Sequence, residues 1–146
     1  MLSLAHTIIS LPFGVIFEHP IAIFFMAFAF HFVLDAVYHW NVSPPQHDKF
    51  PIFPVALDIF TGVIVAWIVF GVNVFSLPIL AAIAGGNGPD IIHTLWSLKG
   101  EPRSKRFPFL TLFFDIHNRI QWETRDITKG LLPQLTTVLI VILSLA

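Results

Sequence analysis

Residues 21–40 read IAIFFMAFAFHFVLDAVYHW. Twenty predominantly apolar residues are what a helix needs to cross the hydrocarbon core of a bilayer. Within this stretch His31, Asp35 and His39 recur every fourth residue. Four residues advance roughly 400° around a helix, so each step drifts by only about 40°. The spacing therefore predicts one helix carrying three titratable side chains on a single face, with Tyr38 beside them. Phe24, Phe25, Phe28 and Phe30 fill the remainder. An ionisable group inside a bilayer costs roughly 2.5–3.5 kcal/mol on insertion scales, so these residues are candidates for function.

The rest of the chain supports a membrane setting. Of 146 residues, 55% are hydrophobic and 12% charged, with 16 Phe and four Trp. An ordinary soluble domain carries about 25% charged residues, enough to clothe its surface; this chain does not. A net charge of −1 gives no basic field, so no nucleic-acid partner is expected. Cysteine is absent, which removes thiolate metal sites and cysteine nucleophiles.

Working outward, residues 4–17 form a short apolar run interrupted by Pro12. No Lys or Arg precedes it, so it reads as a retained helix rather than a signal peptide, either spanning or re-entrant. Glu18, His19 and Pro20 make a tight connection to residues 21–40. Residues 41–54 read as a loop with four prolines and Lys49. Residues 55–75 form the clearest span, with Asp58 near its start. Residues 77–98 form the next, and Gly85, Gly86, Gly88 and Pro89 predict a break near its middle. A broken helix at membrane depth is tolerated where it lines an internal cavity. Residues 99–108 are a charged loop, 109–126 an interfacial helix, and 131–146 a last apolar run.

The expected fold is thus all-α: a polytopic membrane helix bundle of four to five spans forming a single domain, with one interfacial helix and a broken fourth helix. Seven of the eight Lys and Arg fall between Lys99 and Lys129. The positive-inside rule places that region in the cytoplasm, and counting spans backwards places Lys49 there too. An inner-membrane location follows. In this topology His6, Asp35, His39, Asp58, Asp90, His93 and His117 all lie toward the cytoplasmic side, which suggests one polar pocket.

Asp90 and His93 share a face at i, i+3. Asp90 would also suit an N-cap of a helix restarted at Pro89, and Asp58 in a first helical turn would suit the helix dipole. His6 alone reads as an interfacial histidine, and Arg119 and Arg125 as solvated. Taken together, His6, His31, Asp35, Asp90 and His93 are the expected ligands of a divalent metal, zinc foremost, with manganese or iron as other choices. Such an ion generates a nucleophile from water at neutral pH. Asp58, His39 or His117 would then serve as general base or acid. A pocket at this depth meets membrane lipids, so a lipid ester or phosphodiester is the natural substrate.

These motifs resemble those of the YdjM-like family of inner-membrane, metal-dependent hydrolases. Ala5-His6-Thr7 is similar to that family's N-terminal histidine in a short apolar helix. His31-Phe-Val-Leu-Asp35 is similar to its Ser-His-x-x-x-Asp helix. Gly88-Pro89-Asp90-Ile-Ile-His93 is similar to its Leu-Pro-Asp-x-Asp-His segment, with Ile92 where the second Asp would stand. His117-Asn-Arg119 matches part of its His-Arg-x-x-Thr-His-Ser segment, without the second His. The motif order also differs. The resemblance implies a membrane hydrolase with a divalent metal and no particular substrate. The alternatives from the residues are a proton or metal-ion transporter or channel, a b-type haem protein using His31 and His93, and an accessory subunit without catalysis.

Overall fold

The computed structural model describes residues 1–41, 52–97 and 107–145. Six helices follow one another: α1 (Ser3–Ile16), α2 (Pro20–Asp35), α3 (Ile52–Phe70), α4 (Leu77–Ser97), α5 (Pro108–Ile120) and α6 (Ile127–Leu145). Two short strands, β1 (His39–Trp40) and β2 (Glu123–Thr124), pair in parallel. The expected all-α class is met, with that two-residue bridge as an addition. The loop expected over residues 41–54 and the charged loop over 99–108 lie almost wholly outside the described residues, and Lys49, Lys99, Arg103, Lys105 and Arg106 with them.

α1 is the helix around which the others gather. It packs against α2, α3, α4 and α6. Its Ala5, Ile8, Ile9 and Leu11 are buried, and Leu34, Ala66, Ile79 and Val138 join them from the four neighbours. At 1.5 Å per residue its 14 residues extend about 21 Å, short of a bilayer core of about 30 Å. Its N-terminus is held by Asp58 of α3, which accepts the backbone N–H groups of Ser3 at 2.5 Å and Leu4 at 3.3 Å. Those N–H groups have no partner within their own helix. α2 begins as its sequence dictates, with Pro20 in the first turn and His19 accepting the Ala22 N–H.

Two expectations are corrected here. The helix over residues 21–40 stops at Asp35, where Trp122, the residue before β2, supplies backbone partners. The Trp122 N–H donates to the Asp35 carbonyl at 3.0 Å, and the His39 N–H donates to the Trp122 carbonyl at 3.1 Å. His39 therefore stands in β1, off the helical face of His31 and Asp35. The second correction concerns α4, which is continuous through Gly85, Gly86, Gly88 and Pro89. Its glycines are contact points rather than a break. A Cβ at Gly85 would strike the Phe24 carbonyl of α2, one at Gly86 would strike Ser10 of α1, and one at Gly88 would stand 3.0 Å from the Phe28 ring. Small residues let helix backbones approach this closely. The helix break lies instead at Gly71, whose φ of 65° ends α3 and opens a 3-10 turn over Gly71–Phe75.

Among the described residues one helix, α6, is long and apolar enough to cross a membrane, over residues 127–144. α1, α2 and residues 56–69 of α3 are shorter apolar helices. Much of the molecule's outer face is nonetheless apolar: Phe25, Phe60, Ile68, Leu132, Leu139 and Leu143 are all exposed.

Candidate metal centre

The polar side chains meet where α1, α2 and α4 pack and α5 closes over them. His31 and Asp35, one turn apart on α2, face the same way. α4 brings Asp90 and α5 brings His117. One donor atom from each of these four residues lies within 4.8 Å of all the others. His31, Asp35 and His117 are fully buried, and the Asp90 side chain is 21% exposed, so the cluster opens toward solvent at Asp90 alone.

The donor atoms lie close enough together that they could hold one metal ion. Asp35 Oδ2 lies 3.0 Å from His31 Nε2 and 2.9 Å from His117 Nε2. The two Nε2 atoms are 3.2 Å apart. Asp90 Oδ1 lies 3.6 Å from each of them. A tetrahedral ion with bonds of 2.0–2.2 Å places neighbouring ligand atoms about 3.3–3.6 Å apart. The two Asp90 edges, 3.6 Å, fall on that range, while the other three, 2.9–3.2 Å, are shorter and are also hydrogen-bond lengths.

The hydrogen bonding points the same way. His31 Nδ1 lies 2.7 Å from the Gly86 carbonyl, which can only accept, so the proton of a neutral ring is on Nδ1. Nε2 then turns a bare lone pair toward a carboxylate oxygen and a second imidazole nitrogen. His117 Nε2, 2.9 Å from Asp35 Oδ2, can fill the space between them with its own proton or, deprotonated there, leave a buried volume that a cation would fill. A histidine whose outer N–H is held by a backbone carbonyl is also the usual arrangement of a metal-ligating imidazole. Two imidazoles and two carboxylates suit zinc, manganese or iron.

His6 stands behind this cluster. Its ring stacks on that of His31 at 4.0 Å, nearly parallel. Its Nε2 lies 3.1 Å from Asp35 Oδ1 and 3.9 Å from Asp90 Oδ2, the carboxylate oxygens facing away from the first set. The α-amino nitrogen of Met1 lies 2.8 Å from Asp35 Oδ1 on the same side.

Of the five expected ligands, the structure thus brings His31, Asp35 and Asp90 into one four-donor set and places His6 on the reverse face of both carboxylates. His117, expected as acid or base, completes the set. His93 is half-buried, its ring centroid 5.2 Å from that of His117 and 5.0 Å from that of Phe114. Asp90 lies within a continuous helix and caps nothing. Asp58 caps α1, and His39 pairs elsewhere. His39 Nδ1 lies 2.6 Å from the Val37 carbonyl, and its Nε2 lies 3.9 Å from Glu123 Oε1. Burial pushes the His39 imidazole down to about 4. Burial likewise raises the Glu123 carboxyl, against the Asn41 amide that donates to it at 2.8 Å.

Two buried amides escaped the sequence reading. Gln134 of α6 accepts the Leu2 N–H and donates to the carbonyls of Trp40 and Gly130, tying α6 to α1 and β1. Asn87 of α4 donates to Thr7 of α1 and to the Ile83 carbonyl. A lone amide in an apolar helix is the signal that could have found both.

No family model matches the chain, and no curated protein or solved structure matches it.

Proposed function

We propose that this protein is a membrane-embedded hydrolase dependent on a divalent metal, acting on a lipid ester or phosphodiester at the cytoplasmic surface of the membrane. The observation that carries the reading is the four-donor set of His31, Asp35, Asp90 and His117, whose donor atoms all lie within 4.8 Å of one another, with one open side at Asp90. An ion held there would supply Lewis acidity and an acidic bound water. The chain's residues do the rest. Gly86 fixes the His31 tautomer, and His6 steadies both carboxylates from behind. His93, half-buried beside His117, is the imidazole left for moving a proton.

The membrane setting rests on the outer apolar surface, on α6, and on the charge pattern. Arg119, Arg125 and Lys129 fall at the end of α5, between α5 and α6 and at the start of α6, and the Tyr38 and Trp122 rings meet at 5.3 Å. Cations and amphipathic aromatics of this kind mark a cytoplasmic membrane boundary. α5 is built for the same boundary: Phe109, Leu112 and Ile116 are exposed, while Phe114 and His117 are buried. On this reading α1 to α4 and α6 form the bundle, and the resemblance to YdjM-like hydrolases supports its chemistry.

Elemental analysis of the full chain purified in detergent is the test. At least one zinc, manganese or iron per chain is expected, together with hydrolysis of a phospholipid that chelation abolishes. Protein that stays metal-free after all three ions are supplied would overturn the proposal.

A further inference from the structure

The first coordination set uses one oxygen of each carboxylate, Asp35 Oδ2 and Asp90 Oδ1. The other oxygen of each faces His6. His6 Nε2 lies 3.1 Å from Asp35 Oδ1 and 3.9 Å from Asp90 Oδ2, one below and one above the about 3.3–3.6 Å of adjacent tetrahedral ligands, and the Met1 α-amino nitrogen, 2.8 Å from the same Asp35 Oδ1, would give up its proton or its place to an ion there. Each carboxylate thus turns one oxygen to His31 and His117 and the other to His6. The His6 and His31 rings stack at 4.0 Å with 19° between their planes. Nitrogens on two parallel rings, reaching the same two carboxylates, would hold ions separated by about the ring spacing. Two-metal hydrolytic sites hold their ions about 3.5–4 Å apart.

From this we infer that the site is dinuclear: His6, Asp35 Oδ1 and Asp90 Oδ2 hold a second divalent cation, and Asp35 and Asp90 bridge it to the first. The inference rests on the metal reading of the first site and adds a position to it. It also narrows the substrate class. Two divalent cations exceed the charge of two carboxylates, so the centre favours an anionic phosphoester over a neutral carboxyl ester. A phosphoester places one oxygen on each ion, the clamp that two-metal sites use in phosphoryl chemistry.

Manganese alone is the probe. The full chain in detergent is titrated with Mn²⁺, bound metal is counted by mass spectrometry, and the spin state is followed by electron paramagnetic resonance. Two ions per chain with an exchange-coupled spectrum are expected. His6→Ala and the milder His6→Gln should each fall to one ion with an uncoupled six-line spectrum. Inorganic phosphate should perturb the coupled spectrum of the wild-type chain. One ion per chain in wild type, unchanged by either substitution, would overturn the dinuclear inference and leave the first metal site standing. No bound ion would overturn both. A coupled spectrum insensitive to phosphate would overturn the phosphoester preference.

Discussion

The Gly86 carbonyl oxygen lies 2.7 Å from Nδ1 of His31, and this contact joins the packing of α4 to the chemistry of α2. Gly86 also lies close against α1, where a Cβ would meet Ser10 and the His6 carbonyl. The close approach is what carries its backbone oxygen to the imidazole. Gly86→Ala is expected to push the helices apart, at about 1–3 kcal/mol for an overpacked interior. It should also weaken metal binding on the order of 10–100-fold by loosening the His31 tautomer. Thermal denaturation in detergent and a metal titration read the two effects separately.

Asp35 gives both of its oxygens to imidazoles, with His31 and His117 on one and His6 on the other. Asp35→Asn removes the charge that a cation at this point needs. Metal affinity should fall by more than a hundredfold. Chelation of the wild-type chain should lower its melting temperature and added zinc should restore it. A ligand at about 100 times its dissociation constant stabilises the folded state by about 2.7 kcal/mol.

Asp58 is expected to behave as a cap. Asp58→Ala leaves the Ser3 and Leu4 N–H groups without their acceptor and should cost about 1 kcal/mol, within the range of about 0.5–2 kcal/mol for lost caps. Metal stoichiometry should be unchanged. Loss of bound metal in a folded Asp58→Ala chain would place Asp58 in the centre instead.

His39 should make stability depend on pH in a defined window. Its folded value of about 4 lies below the ordinary 6.5, chiefly through burial, so the folded chain resists protonation that the unfolded chain accepts. Its contribution is complete above pH 6.5 and is lost as pH falls toward 4. The full difference is about 3 kcal/mol, at 1.36 kcal/mol per unit. His39→Gln should flatten the fall in melting temperature over pH 6.5 to 4 relative to wild type. An equal slope in the two proteins would assign the acid sensitivity to other groups.

Glu123 works in the opposite sense. Burial raises its carboxyl, so its folded form favours the proton, and its penalty appears as pH rises through the raised value. Glu123→Gln keeps an oxygen for the Asn41 amide and removes the buried charge. The variant should melt higher than wild type at pH 7 and no differently at pH 4.

The amino-acid sequence by itself determined the six helical segments and the titratable residues inside them. Apolar runs bounded by Pro20 and polar connections mark helices because local hydrophobic length and turn chemistry are enough to do so, although the turn at Gly71 lies inside the single span expected over residues 55–75. The i, i+4 pairing of His31 with Asp35 was legible for the same reason, since helical geometry is local. The meaning of Gly85, Gly86 and Gly88 was not. A glycine is equally consistent with a bend and with a close contact, and the atoms of Phe24, Ser10 and Phe28 that decide between them lie about 60 or more residues away in the chain. The end of α2 escaped for a similar reason: Trp122, whose N–H donates to the Asp35 carbonyl and whose carbonyl accepts the His39 N–H, stands just before β2, far along the chain. Only the packing of α4 and α5 onto α2 separated candidate ligand from neighbour, bringing in His117 and leaving His93 beside it, while the packing of α3 on α1 turned Asp58 to the start of α1. Which oxygen of a carboxylate faces which imidazole is a matter of ångströms between helices, and spacing along one chain does not contain it.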